Sequence, residues 1–587
     1  MSRWGLAPVA LALAIVVVVR IGAIAFPSGP PRERLLLGGI ATTAAIALGV
    51  RILGAVGALT QEVLFGCLFV VAAALVMWRR DRRLGLDARG FLSIETAPVV
   101  VVAIGALGVA AFTAYVMPIW QWDSLGYHLP YVNFALQRGT LADVPPDVPY
   151  VSTYPHAVEH LFVAWRAMLP DDRLVDVAQI PLGLLGAGAV AVLARRLGAR
   201  ADHSLAAGLL WLTLPATFLQ LPTNYVDVAS SAFLLVAAAF VVGPLEPARV
   251  VGVGLALGLF LASKPNAPIG TAIVLALLFV RGWREGRRES LALAVACVLA
   301  IGCESYVVNV VRHGNPVWPV RATLGPWTLP GTVPMTEVLE SGPLAPRLHG
   351  PLPIRLIQSW LSLDAPPVFD MRFGGLGLVY LAALPAAIVI AIRKRWLALG
   401  VVGLAALASP DPAVPRYVLA FPGLVLAAAA CTIGGLDVRV RRGLVACVAA
   451  LAAFALVRSS RGLTGDGPEL GAYRSMSEEE RLRAIGANGS PADFHDAVSR
   501  IGPGETTAFD ASLDLPYLAW PSDLSRRAVR IPDGIDLEGA QRLVADPHVR
   551  LLVVDPTSPV AAAARAEPGR FTELFQCKSQ CVVLLRI

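Results

Sequence analysis

Residues 97–130 read APVVVVAIGALGVAAFTAYVMPIWQWDSLGYHLP, and the change of chemistry along them decides the fold. From Ala97 to Ile119 there is no charge, a run long enough to cross a hydrocarbon core about 30 Å thick. Trp120 and Trp122 then mark an interface, where aromatic side chains concentrate. Asp123 is the first ionisable group beyond it, and the run of Pro-rich and polar sequence that follows does not return to apolar composition until about residue 174.

Working outward, the same alternation fills most of the chain. Of 587 residues, 56% are hydrophobic and 16% charged, against about 25% charged in a soluble domain. Spans are expected near 6–26, 35–59, 62–78, 97–119, 174–194, 204–221, 226–243, 249–262, 266–280, 290–311, 373–392, 396–408, 417–434 and 444–457. The chain is therefore expected to be an α-helical polytopic membrane protein of about fourteen spans. Residues 458–587 have soluble composition. Although Leu6 to Ala25 could pass for a signal peptide, it is expected to stay as a span, because cleavage would leave the new terminus on the wrong side.

Basic residues collect in alternate connections: Arg32 and Arg34; Arg79, Arg80, Arg82 and Arg83; Arg195, Arg196 and Arg200; Arg281, Arg284, Arg287 and Arg288; Arg393, Lys394 and Arg395; Arg439, Arg441 and Arg442. The positive-inside bias makes these loops cytoplasmic, which places 120–172, 312–372 and the tail outside, with both termini outside. The net charge of +7 is explained by those loops, so no nucleic-acid partner is expected and the lipid bilayer is.

A connection of about fifty residues is longer than a chain reversal needs, and loops of that length commonly carry function. At interface depth the Asp123 carboxylate is costly unless a metal, cation or proton answers it. It could equally cap a helix beginning at Ser124. Tyr127 and His128 follow by one helical turn and can project near it. Asp227 starts a later span on the same side, as a cavity group or a plain helix-start carboxylate. Lys264 and Arg416 are cations in external turns, against the charge bias, and Arg312 and Arg321 are further cations on that side; lipid-headgroup contact or snorkelling is the commoner role of any one such residue.

These residues carry a resemblance. Trp122-Asp123-Ser124-Leu125-Gly126-Tyr127-His128-Leu129-Pro130, then Tyr154-Pro155 and Glu159, Lys264 in Ser-Lys-Pro-Asn, Gly314-Asn315-Pro316-Val317-Trp318-Pro319, and Pro415-Arg416-Tyr417 follow in the order of the GT-C glycosyltransferases. These are membrane enzymes that use polyprenyl-phosphate sugars and include the protein O-mannosyltransferases and the lipid A aminoarabinose transferase. The resemblance covers roughly 97–434 and implies an inverting transfer. Asp123 would be the base and Lys264 or Arg416 the phosphate partner, with Tyr127, His128, Tyr154, Glu159, Asp227, Arg312 and Tyr417 lining the substrate site. It implies a polyprenyl-phosphate sugar donor, a cell-envelope glycan, lipid or protein acceptor, and a bacterial plasma membrane. No cofactor is required, though the first loop could hold a divalent Mg or Mn. The organisation expected is 1–96 as additional spans, 97–457 as the catalytic membrane domain, and 458–587 as an extracytoplasmic accessory domain.

Two readings compete. His156-Ala157-Val158-Glu159-His160 matches a zinc-hydrolase spacing, without a clear third ligand. A transporter or flippase of a lipid-linked substrate should carry mid-membrane ionisable groups or an internal repeat; Arg51 is the main candidate and no repeat is evident. In the tail, strands are expected at 506–509, 528–531 and 549–554 with a helix at 537–544, a small α/β layer closed by a hairpin through Cys577 and Cys581. Loop 312–372, with little periodicity, is expected to be an irregular cover.

Overall fold

The computed structural model describes residues 5–78, 93–146, 148, 150–334, 350–362, 375–394, 396–485, 491–567, 569–577 and 580–587. The cluster Arg79 to Arg83 and Arg395 lie outside the described residues.

Every expected span overlaps a helix or a helix pair, but five of the fourteen, at 204–221, 226–243, 249–262, 396–408 and 417–434, fall on helices of fewer than 18 residues. Helices α1 (Ala7–Ala25), α2 (Pro31–Ala55), α3 (Gln61–Trp78) and α4 (Ala97–Val116) precede the first long loop, which folds α5 (Leu129–Gln137) and α6 (Ala157–Arg166). Then come α7 (Gln179–Arg196), α8 (Ala201–Leu212), α9 (Pro215–Gln220), α10 (Asp227–Val241), α11 (Pro247–Leu261), α12 (Ala267–Arg284), α13 (Arg288–Gly302) and α14 (Glu304–His313). After the second long loop, which includes β1 (Val320–Leu324), β2 (Trp327–Leu329), β3 (Val333–Pro334) and α15 (Leu352–Trp360), follow α16 (Gly377–Lys394), α17 (Leu397–Leu407), α18 (Ala420–Ile433) and α19 (Val438–Ser459). Among the described residues eight helices are long and apolar enough to cross a membrane alone, and α13 with α14, bent by 57°, makes a ninth. The chain is a multi-pass membrane protein.

The bundle is built around α10, buried at every residue from Asp227 to Val241. A helix apolar all round belongs inside. Its N-terminal Asp227 is thereby carried to the centre of one end of the bundle. Close packing relies on small residues: a Cβ on Gly208 would collide with the Ala187 carbonyl, and one on Gly38 with the Val18 carbonyl. The break between α8 and α9 falls at Pro215, which cannot continue a hydrogen-bond ladder.

Charge separates the two ends. Glu33 accepts Arg196 at 2.8 Å and Arg249 at 2.9 Å, and Glu95 accepts His203 at 2.8 Å and Arg441 at 2.7 Å, all on the side where basic loops were expected. Asp123, Asp227, Lys264 and Arg416 gather at the opposite end.

Loop 312–372 departs from expectation. Its described part is an organised sheet in the order β2-β1-β3 followed by the amphipathic α15. The strands are too short for alternation to be visible in sequence. Asn315 holds them together, donating to the Val320 and Pro330 carbonyls at 2.8 and 2.7 Å and accepting from Val317 N–H.

The tail contains α20 (Glu478–Ala484), α21 (Pro491–Ser499), β4 (Thr506–Phe509), β5 (Arg527–Arg530), α22 (Leu537–Ala545), β6 (Val549–Val554), α23 (Pro559–Arg565), β7 (Phe571–Gln576) and β8 (Val582–Arg586). The sheet order is β5-β4-β6-β8-β7, parallel across β5-β4-β6 and antiparallel beyond. A Cys577–Cys581 disulfide closes the last hairpin. This layer sits on the first loop. Arg166 donates to Ser522 O at 2.7 Å, Trp520 Nε1 to Gln137 at 3.1 Å, and Tyr517 OH to Asp172 at 2.5 Å.

Candidate active site

The segment carrying Asp123 is a helix start distorted by Pro130. Lacking an N–H, Pro130 cannot bond back to Gly126, and Ser124–His128 form a wide π-turn, with Leu129 N–H reaching Ser124 O. The turn faces the Asp123 side chain inward. It caps nothing: no side-chain bond runs from Asp123 to the following N–H groups. The helix-cap reading is therefore set aside.

Asp123 Oδ2 instead accepts from Arg416 Nη1 at 2.9 Å. Arg416 Nη1 lies 3.7 Å from Asp227 Oδ2, and Asp227 Oδ1 accepts from Lys264 Nζ. Four residues scattered over nearly 300 positions form one chain of alternating charge, Asp123–Arg416–Asp227–Lys264. Both carboxylates and Arg416 are largely buried, where charges persist only when paired. Aromatic rings support the cations. Arg416 lies 4.9 Å from the Tyr225 ring centroid and 5.1 Å from that of Tyr417, and Lys264 lies 4.7 Å from Tyr417. Tyr225 OH also accepts the Asp123 N–H at 3.3 Å.

Burial alone would raise the Asp123 carboxyl. The Arg416 guanidinium, His128, and hydrogen bonds from Arg416 and Tyr127 outweigh it and hold the carboxyl below its ordinary value. The Tyr127 phenol moves the other way, pushed up by burial and by Asp123, so it stays protonated and can donate. Its ring packs 6.1 Å from Tyr154 and 4.2 Å from His128. His128 Nδ1 meets Glu159 at 2.6 Å, with both side chains buried. Beside Arg416 and Lys264 a narrow cavity of about 20 Å³ runs between α10, the end of α11 and α17, lined in part by Ser230, Ser231 and Asn266.

The expected residues Asp123, Tyr127, His128, Tyr154, Glu159, Asp227, Lys264, Arg416 and Tyr417 thus fall in one neighbourhood. Arg312 and Arg321 do not join it: they are exposed, on α14 and β1. Arg321 is held in the second loop's own sheet, and Arg312 is in the last turn of α14. Tyr225 was missed as a site residue, though it stands two positions before Asp227 at the mouth of an otherwise apolar span.

The His-x-x-Glu-His spacing does not assemble a metal site. Glu159 turns to His128, His156 Nε2 to Val151 O at 2.9 Å, and His160 Nε2 to the Tyr131 hydroxyl at 2.9 Å. Burial lowers both of these imidazoles, His160 to about 3. Among the described residues no group of three His, Cys, Asp or Glu converges, and Asp123 faces a guanidinium.

The fold is that of the GT-C glycosyltransferases. The solved structures it resembles include ArnT from Cupriavidus metallidurans in the apo state, with a TM-score of 0.54 at 16% identity over 84% of this chain and 99% of that one. ArnT from the same organism bound to undecaprenyl phosphate gives a TM-score of 0.52 at 16% identity, over 84% and 98%. The Archaeoglobus fulgidus oligosaccharyltransferase tethered to an acceptor peptide gives 0.39 at 13% identity, over 83% and 74%. No family model and no curated protein sequence matches the chain.

Proposed function

We propose that this chain is an inverting glycosyltransferase that moves a sugar from a polyprenyl-phosphate donor to a cell-envelope glycan, lipid or protein acceptor on the outer face of a bacterial plasma membrane. The observation that carries the reading is the buried charge chain, which holds a carboxylate beside two cations at one end of a GT-C bundle.

In this reading Asp123 takes the proton of the acceptor hydroxyl while that oxygen attacks the anomeric carbon. The carbon–oxygen bond to phosphate breaks, and the polyprenyl phosphate leaves with the electron pair from the opposite face, inverting the centre. Arg416 and Lys264 stabilise the charge growing on the leaving phosphate, where preorganised cations act most strongly. A carboxylate held low by Arg416 is a weak base. A donor phosphate competing for Arg416 would loosen that pair and raise the basicity of Asp123 once donor is bound. Charge balance thereby ties base activation to donor arrival.

The flippase alternative gains less support. Arg51, its sequence candidate, pairs with Glu304 at 3.1 Å and donates to the Ala300 carbonyl toward the outer end of α2, leaving no charge at mid-span there. The deciding experiment supplies purified chain in liposomes with labelled polyprenyl-phosphate sugars and an envelope lipid extract. A new glycosidic bond of inverted configuration is expected. Movement of the intact donor between leaflets with no new bond would overturn the reading.

A further inference from the structure

A cavity of about 290 Å³, large enough for a small ligand, lies at the seam between the outer end of α4 and the tail. One wall is Tyr115, Ile119 and Asp172; the other is Arg481, Tyr517 and Trp520. This volume sits at the lower end of the roughly 300–1,000 Å³ typical of small-molecule sites. It suits a sugar unit better than a peptide segment.

The lining combines ring faces with paired carboxyl and guanidinium groups, the combination that meets the apolar C–H face and the hydroxyl edge of a sugar. Asp172 is prepared for such contacts. Burial pushes its carboxyl up to about 6, and the Tyr517 hydroxyl donates to it, so it can serve a hydroxyl as acceptor or, protonated, as donor. Charge is nearly balanced at the rim, where Arg173 is held by Asp171 at 2.5 Å and Glu478 and Arg481 both line the cavity. That balance favours a neutral, hydroxylated ligand over an anion.

The cavity is also coupled to the reaction centre. Ile119 precedes Asp123 by four residues, and the Pro516–Ala519 turn that carries Tyr517 packs against the π-turn Ser124–His128. We propose that this seam binds a sugar unit of the acceptor and so selects which envelope molecule is glycosylated. The proposal rests on the glycosyltransferase reading above for its word acceptor, but the binding of a sugar does not.

The test is saturation-transfer NMR on the full chain in micelles, with methyl α-mannoside, methyl β-glucoside and methyl α-arabinoside as probes. Saturation is expected on the ring protons of at least one glycoside. It should vanish in Leu482→Trp, which fills the cavity, and persist in Asp123→Asn. Arg481→Ala replaces Leu482→Trp if the latter does not melt as the native chain does. No saturation with any of the three, or saturation that survives the cavity variant, overturns the seam site. Saturation lost in Asp123→Asn would move the probe to the reaction centre and also overturn it. Glycoside binding at the seam by a chain that transfers no sugar would leave this site standing and sink the proposed activity.

Discussion

Arg416 and Asp123, 293 residues apart in sequence, form a buried ion pair at 2.9 Å, and the same guanidinium nitrogen stands 3.7 Å from Asp227. One cation thus holds two carboxylates that would otherwise repel each other across a poorly solvated space. Lys264 completes the balance from the far side of Asp227.

Removing Arg416 is therefore a stability experiment as well as a binding one. Arg416→Ala leaves two buried carboxylates with one cation, and breaking such a pair costs about 3–5 kcal/mol. A melting temperature lowered by several degrees is expected, together with weaker donor binding. Arg416→Lys should recover much of the melting temperature but less of the donor affinity, because an ammonium lacks the guanidinium's planar fork. Thermal unfolding and a donor titration check both.

Acid sensitivity follows from the lowered Asp123 carboxyl. A depressed folded value makes its stabilising contribution fully present above the ordinary 3.8 and lost only as pH falls through the lower folded value. The acid limb of kcat/KM, which reports the free enzyme, should accordingly fall below pH 3.8. A limb near pH 6 would assign the essential base to another group.

The tail should respond to pH in the opposite sense. With the Asp172 carboxyl raised to about 6, docking of the tail against the first loop gains its full contribution below about 3.8 and loses it as pH rises through 6. Hydrogen exchange at residues 516–522 is expected to quicken from pH 5 to 7 by more than the chemical exchange rate alone, and Asp172→Asn should remove the excess.

Glu159 is expected to act through His128. Glu159→Ala leaves a buried imidazole without its 2.6 Å partner, a loss of about 1–3 kcal/mol for an unsatisfied buried polar group. The melting temperature should drop, and turnover should fall because the π-turn bearing Asp123 loses its anchor. An unchanged melting temperature would mean that the dyad holds nothing.

Much of this was legible in the sequence because lipid solvation writes simple rules. Runs such as Asp227 to Val241 must be helical and apolar, and basic residues such as Arg196 and Arg441 sort the connections to one side. Asp123, Lys264 and Arg416 stood out because each is an isolated charge at the other end. Their mutual pairing was not legible, since it depends on how α10 is sandwiched among its neighbours. Tyr225 was hidden by looking like an ordinary interfacial aromatic. The sheet of the second loop is made of strands of five, three and two residues braced by Asn315, too short to leave a periodic signal, and the seam cavity exists only once the tail is placed against α4.

The central claim is that Asp123 removes the acceptor proton, and replacing one oxygen by nitrogen tests it with least disturbance. Native and Asp123→Asn chains, matched for expression and melting behaviour, are reconstituted with a polyprenyl-phosphate sugar and acceptor extract, and initial rates of glycosidic bond formation are compared. Loss of a positioned general base predicts a rate lower by about 10²–10⁴-fold with donor binding retained. An Asp123→Asn rate within roughly threefold of native would contradict the account, since a general base contributes far more than that.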